Sequence, residues 1–271
     1  MFDIRSNGIA WYNALQASLT KRFSHGLQFL ASYTFARDLA NVFESTISPN
    51  GGQVYGNNND PRSNYGPDAF VRPHRFVLSG VYELPGPRNH RSLAGQFLAN
   101  WKLAGVLTLQ SGHLLPVINN TGTNAFGIPT DFAQIIPGCK LSTTGSVQSR
   151  VNNWINQNCI DQQNLPYIGD PDPPGTCLVP NPQGVCARDF GNSRMGILHG
   201  PGQANTDLSI MKVFSVTERA KMEFRTEFFN AWNKAVFNDP DYTASDTGSF
   251  GHITSTISNP RVMQFALKLS F

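Results

Sequence analysis

The chain has 271 residues and a net charge of +3 from scattered Lys and Arg, and only 14% of its residues are charged, against roughly 25% in typical soluble domains. No basic block interleaved with aromatics is present, which excludes a nucleic-acid groove. No run approaches the ~18 apolar residues of a transmembrane helix either. What remains is a charge-poor chain with 19 Phe, of a length that one all-β domain can accommodate.

The first predicted strand runs from Asn13 to Phe23, with Leu15, Ala17, Leu19 and Phe23 on one face and Ala14, Gln16, Ser18, Thr20 and Arg22 on the other. Lys21 falls on the apolar face near the strand end, where its stem can snorkel. Ser24-His25-Gly26 forms a tight turn, because Gly26 accepts positive φ. The second strand sets Leu27, Phe29, Ala31, Tyr33 and Phe35 against Gln28, Ser32, Thr34 and Ala36. The two make a hairpin.

Asn41 to Pro73 is loop chemistry, dense in Gly, Pro and Asn. A third strand spans Arg75 to Leu84, and a fourth runs from Asn100 to Ser111. Residues 113–202 form a long loop holding Cys139, Cys159, Cys177 and Cys186. The fifth strand, Asn205 to Phe214, places Leu208, Ile210 and Phe214 on its apolar face, with Lys212 among them. In the sixth, Ala220, Met222, Phe224, Thr226 and Phe228 alternate with Lys221, Glu223, Arg225 and Glu227. Another loop, Trp232 to Pro260, has room for a short strand at Phe250 to Thr256. The seventh strand sets Met263, Phe265, Leu267, Leu269 and Phe271 against Val262, Gln264, Ala266, Lys268 and Ser270.

Each strand thus has one greasy and one wettable face, and each is near the length that a tilted strand needs to cross a bilayer. Half of every such strand is polar, so the mean hydropathy of -0.27 is compatible with a membrane protein. The connections alternate short and long throughout. Outer-membrane barrels have short periplasmic turns and long extracellular loops, whereas a soluble sandwich has no reason to keep that parity. The expected fold is an all-β antiparallel transmembrane barrel segment of seven strands over 1–271, its C-terminus periplasmic. Lys221, Glu223, Arg225 and Glu227 then line the lumen, since a basic group turned to lipid costs about 2–4 kcal/mol near the midplane.

Several runs carry a resemblance. They are Tyr12-Asn13-Ala14-Leu15-Gln16 with Ser32-Tyr33-Thr34-Phe35, then His74 through Tyr82, and Trp101-Lys102-Leu103-Ala104-Gly105 through Gln110-Ser111-Gly112. Gly200-Pro201-Gly202 with Asp207-Leu208-Ser209 and Phe224 through Asn230 follow. Together they resemble the C-terminal barrel of TonB-dependent outer-membrane receptors, in particular the Oar-like group with a carboxypeptidase-regulatory-like domain. The end of the chain, with Phe265, Leu267, Leu269 and Phe271, is similar to the signal read by the barrel-assembly machinery. The resemblance implies ligand uptake without catalysis or cofactor. Its implied partners are outer-membrane lipid, a plug domain and further N-terminal strands, and TonB acting through the N-terminal part. It also implies about twenty-two strands, so seven are expected to be the C-terminal portion of a larger barrel. Met1 to Asn7 has no basic region followed by an apolar core, so an export signal is expected upstream. A self-contained small porin or barrel enzyme is the alternative, and a soluble β-sandwich a more distant one.

Four cysteines in an extracellular loop suggest two disulfides among three pairings. A local Cys177–Cys186 bridge would leave Cys139 with Cys159. Close Cys pairs of the kind zinc requires are absent from the sequence. Val151, Trp154 and Ile155 have helical spacing and predict a short helix within Val147 to Asn158. The six His are dispersed and read as turn and interface residues, and Ser111-Gly112-His113 lacks a nucleophile elbow. Asp170 and Asp172 could meet calcium but lack the downstream Glu of an EF-hand. Trp11, Tyr12, Tyr33, Phe35, Tyr82, Trp101, Phe214 and Phe271 are placed for an aromatic girdle.

Overall fold

The computed structural model describes residues 8–41, 62–68, 71–87, 93–119, 130–161, 190–217 and 220–271. Strands β1 (Ala10–Ser24) and β2 (Leu27–Ala40) form the first hairpin, and β3 (Gly66–Pro67) adds a short bridge to the end of β2. β4 (His74–Glu83) and β5 (Trp101–Gln110) follow, with helix α1 (Leu93–Leu98) between them. The long connection holds β6 (Leu114–Leu115), β7 (Ile118–Asn119), β8 (Asp131–Phe132), helix α2 (Val147–Arg150), a 3-10 turn at Gln157–Cys159 and β9 (Leu198–His199). The last long strands are β10 (Gln203–Ser215), β11 (Lys221–Phe229) and β12 (Val262–Ser270).

All seven predicted long strands form, as one antiparallel meander in the order β1-β2-β4-β5-β10-β11-β12. His25 and Gly26 both take positive φ, the requirement of a two-residue hairpin loop that matches strand twist. A Cβ on Gly26 would also lie 2.6 Å from the Glu83 carbonyl oxygen, so the turn packs against the end of β4.

The register carries the alternation across the whole sheet. One row runs Lys21, Phe29, Gly80, Gly105, Leu208, Phe228 and Met263 through all seven strands. Its polar neighbour runs Gln28, Val81, Ala104, Ser209, Glu227 and Gln264. A slip of one residue at any seam would mix the faces. Gly80 and Gly105 sit opposite each other on the apolar face. Phe29 packs over the first and Leu208 over the second, so larger neighbours fill the gap that the glycines leave.

The meander is open. Among the described residues β1 bonds only β2 and β12 bonds only β11. Because seven strands alternate in direction, β1 and β12 run the same way.

The main hydrophobic core lies outside the sheet. Val117, Ile135, Trp154, Ile155, Leu198, Phe250 and Ile253 are buried together, drawn from the 111–202 and 230–261 connections. The described parts of these two connections, separate in sequence, fold as one cap at the end of the sheet away from the short turns. Trp154 N donates to Gly251 O at 2.8 Å, Ile253 N to Val151 O at 2.7 Å and Gln157 Nε2 to Phe250 O at 2.8 Å.

Two expected elements are corrected here. The helix within Val147–Asn158 is a single turn, α2, capped by Ser146 Oγ accepting from Ser149 N. Trp154 and Ile155 lie beyond it and point into the cap core, so their spacing reports burial. The strand expected at Phe250 to Thr256 does not form. Isolated bridges, Asp241 with Phe250 and Phe237 with Thr256, take its place, because the apolar side chains there serve the cap and not a sheet face.

Candidate functional site

The polar face of the sheet is the candidate binding wall. Lys221, Glu223, Arg225 and Glu227 occupy alternate positions of β11 and therefore one face, as the alternation predicts. Arg225 lies between its two acidic neighbours, 2.8 Å from Glu223 Oε1 and 3.7 Å from Glu227 Oε1. These pairs run along one strand, whereas a cross-strand pair joins Glu83 to Lys102 at 2.5 Å. Neither Glu83 nor Lys102 stands out in the sequence. Their symmetric positions beside the β4–β5 connection are the signal that would have paired them.

A concavity of about 680 Å³ opens on this wall, with Thr20, Gln28, Ser79, Asp207, Ser209 and Glu227 among its lining residues. Leu30, Val81 and Val106 form an apolar patch within it. The wall thus offers charge, hydroxyls and a limited apolar surface, a combination suited to contact with a solute or a second polypeptide segment. Ser209 Oγ is buried there with no hydrogen-bond partner among the described residues.

A second cluster fastens the rim. His113 Nδ1 donates to Asp239 Oδ2 at 2.5 Å. With that proton committed, the Arg72 guanidinium, 3.4 Å from the same nitrogen, is a neighbouring charge and not a donor to it. Arg72 instead donates to Ser111 O at 2.8 Å. Burial lowers the pKa of Arg72, and Asp239 opposes that shift. The Ser111 hydroxyl accepts from His74 N at 3.1 Å, so it is engaged by His74 and not by His113. His74 Nδ1 also meets Tyr33 Oη at 2.8 Å. The turn-and-interface expectation fits His74, but His113 does more, joining loops 126 residues apart. Sequence spacing holds no trace of that pairing.

Cys139 and Cys159 form a disulfide with a Cα–Cα distance of 5.4 Å; Cys159 is buried in the cap core and Cys139 packs against it. Cys177 and Cys186 lie outside the described residues, as do Asp170 and Asp172. Among the described residues no group of three or more His, Cys, Asp or Glu could hold a metal ion.

Phe265, Leu267 and Leu269 project from the apolar face of β12, with Phe271 just beyond it, and all four are exposed. Trp11, Tyr33, Phe35, Tyr82, Trp101 and Phe214 share that face. Tyr12 does not, because it pairs with Asp38 in the polar row and so belongs to the wall and not the girdle. Lys21 behaves as a strand-end lysine, its Nζ reaching Ser24 Oγ at 2.9 Å. Lys212 differs, being only 1% exposed.

Residues 1–264 match the family described as outer membrane beta barrel domain. The chain belongs to this family. Neither the comparison with curated proteins nor that with solved structures returns a match. Family membership puts the protein in the outer membrane, where the apolar face of a barrel meets lipid and the opposite face lines the interior. The two faces that the register separates are therefore a lipid face and an interior wall.

Proposed function

We propose that this chain is the C-terminal barrel wall of a TonB-dependent outer-membrane receptor, which takes up a ligand through the interior and performs no covalent chemistry. The observation that carries the reading is the open sheet. An edge in hydrocarbon leaves backbone groups unsatisfied at several kcal/mol each, so β1 and β12 require partners. Since the two run in the same direction, antiparallel closure takes an odd number of further strands, and the completed barrel has an even count, as single-chain bacterial barrels do. The runs that resemble the receptor barrels lie in the long strands and at the rim, which supports the same assignment. On this reading the short turns and the C-terminus face the periplasm, the cap faces outward, and the polar wall with its apolar patch contacts a plug. The β12 side chains Phe265, Leu267 and Leu269, with the terminal Phe271, present the barrel-assembly machinery with its signal. TonB acts through parts that precede the wall.

The test is to export these 271 residues alone and compare them with the complete coding region in cells with and without TonB. The expected result is no heat-modifiable, pore-forming monomer from the wall alone, and TonB-dependent uptake from the complete protein. A heat-modifiable 271-residue monomer with pore activity would overturn the reading in favour of a self-contained porin.

A further inference from the structure

Among the described residues the β4–β5 connection is the one short connection that carries a helix, and α1 packs on an unexpected side of the sheet. Phe97 meets the Phe214 ring edge-on, with centroids 6.1 Å apart. Trp101 Nε1 donates to Phe97 O at 2.8 Å, and Lys212 Nζ donates to Ala99 O. Trp101, Lys212 and Phe214 all belong to the apolar face, because Lys212 pairs with Trp101 and Phe214 with Met222. The helix is therefore folded back over the lipid side of the end of β10 and does not hang below the barrel.

This position explains two features together. Lys212 is a charged residue in a row that otherwise faces acyl chains. It is buried under α1, with its ammonium 5.5 Å from the Trp101 ring and 5.1 Å from the Phe214 ring. A carbonyl and two π faces thus replace the water it lacks. The outward side of the helix, in contrast, carries Phe97 and Leu98, which are 63% and 64% exposed. The run Leu93–Leu98 contains no charged residue. Six residues are too few to hold a helix in water by backbone bonding alone, and the two bare side chains are not an isolated pair, because they adjoin the exposed apolar face of the sheet. That surface is continuous with the lipid face through the contact of Phe97 with Phe214.

We infer that α1 is a membrane anchor built into the β4–β5 connection: phospholipid of the leaflet at the short-turn end covers Phe97 and Leu98, and the helix shields Lys212 from the acyl chains. It packs on the lipid side at the ends of β5 and β10, although its body is part of a barrel turn. The inference rests on the outer-membrane reading of the apolar face, and the controls separate the two.

The experiment places nitroxide labels at Phe97→Cys, at Leu267→Cys on the lipid face of β12, and at Gln148→Cys in the cap. The complete protein is reconstituted in phosphatidylethanolamine and phosphatidylglycerol vesicles, with unsubstituted protein labelled as a blank. Collision with oxygen, which concentrates in acyl chains, is compared with collision with an aqueous nickel chelate. The label at 97 is expected to follow 267, favouring oxygen, while 148 favours nickel. If 97 follows 148 while 267 favours oxygen, the anchor is overturned and the lipid-face reading stands. If 267 itself follows 148, the lipid face falls and the anchor falls with it.

Discussion

His113 Nδ1 and Asp239 Oδ2 lie 2.5 Å apart across 126 residues of sequence. The contact ties the segment leaving β5 to the connection between β11 and β12, and Arg72 joins it from the segment entering β4. The cap is thereby held to the sheet by side chains as well as by its own core. Asp239→Asn keeps the shape and removes the charge. The pair is partly exposed, with side chains at 28% and 22%, so the loss is about 1 kcal/mol, toward the solvent-screened end of charged contacts. Hydrogen exchange should report it as faster opening of residues 230–261, and unchanged exchange would show that the contact contributes nothing.

The cap core predicts a larger effect that stays local. Trp154 is buried, fills the space between the two connections and donates its Nε1 to His199 O at 2.9 Å. Trp154→Ala removes that bond and leaves a cavity, at about 3–5 kcal/mol for an aromatic truncation. The sheet gains none of its register from this side chain. Limited proteolysis should cut the cap of the variant rapidly while the strands keep the protection of the parent.

The Cys139–Cys159 bridge spans 20 residues, and closing a loop of that order stabilises by about 3 kcal/mol in the chain-entropy account. Non-reduced peptide mapping should recover Cys139 and Cys159 in one linked peptide. Reduction should loosen the cap to a degree similar to that of Trp154→Ala, since Cys159 is buried in the same core.

What the sequence reveals depends on the distance over which the physics acts. A period of two is a local property, so the seven strands and both faces are visible from Leu15 to Phe271. The β1–β2 turn is visible for the same reason, because Gly26 satisfies a local dihedral demand. The cap core is not visible. Val117, Ile135, Trp154 and Phe250 sit in apolar runs too short to show a period, separated by stretches rich in Gly, Asn and Pro, and they become a core only when distant connections meet. The pairing of His113 with Asp239 has the same character. Helix α1 escapes for another reason: six residues carry no usable periodicity, and its place is set by Lys212 and Phe214 more than a hundred residues downstream. The exclusion of Tyr12 from the girdle follows from the same alternation, which sets it opposite Trp11 and Leu15 once β1 begins at Ala10 and not at Asn13.

The alternation of β12 yields the sharpest test of register. Leu267 and Ala266 are adjacent in sequence and opposite in face, pairing with Phe224 and Arg225 respectively. If the apolar face meets lipid, Leu267→Arg places a guanidinium in hydrocarbon, at about 2–4 kcal/mol near the midplane. Ala266→Arg places the same group on the interior wall, beside the Glu223-Arg225-Glu227 row, where water screens it. Repulsion from Arg225 is the main opposing contribution there, and the nearby carboxylates offset it. The complete protein carrying Leu267→Arg should therefore unfold at lower denaturant and assemble poorly into the outer membrane, while Ala266→Arg should stay within about 1 kcal/mol of the parent. Equal losses would mean that both faces are buried alike, as in a soluble sandwich, and a greater loss for Ala266→Arg would invert the assignment of the two faces.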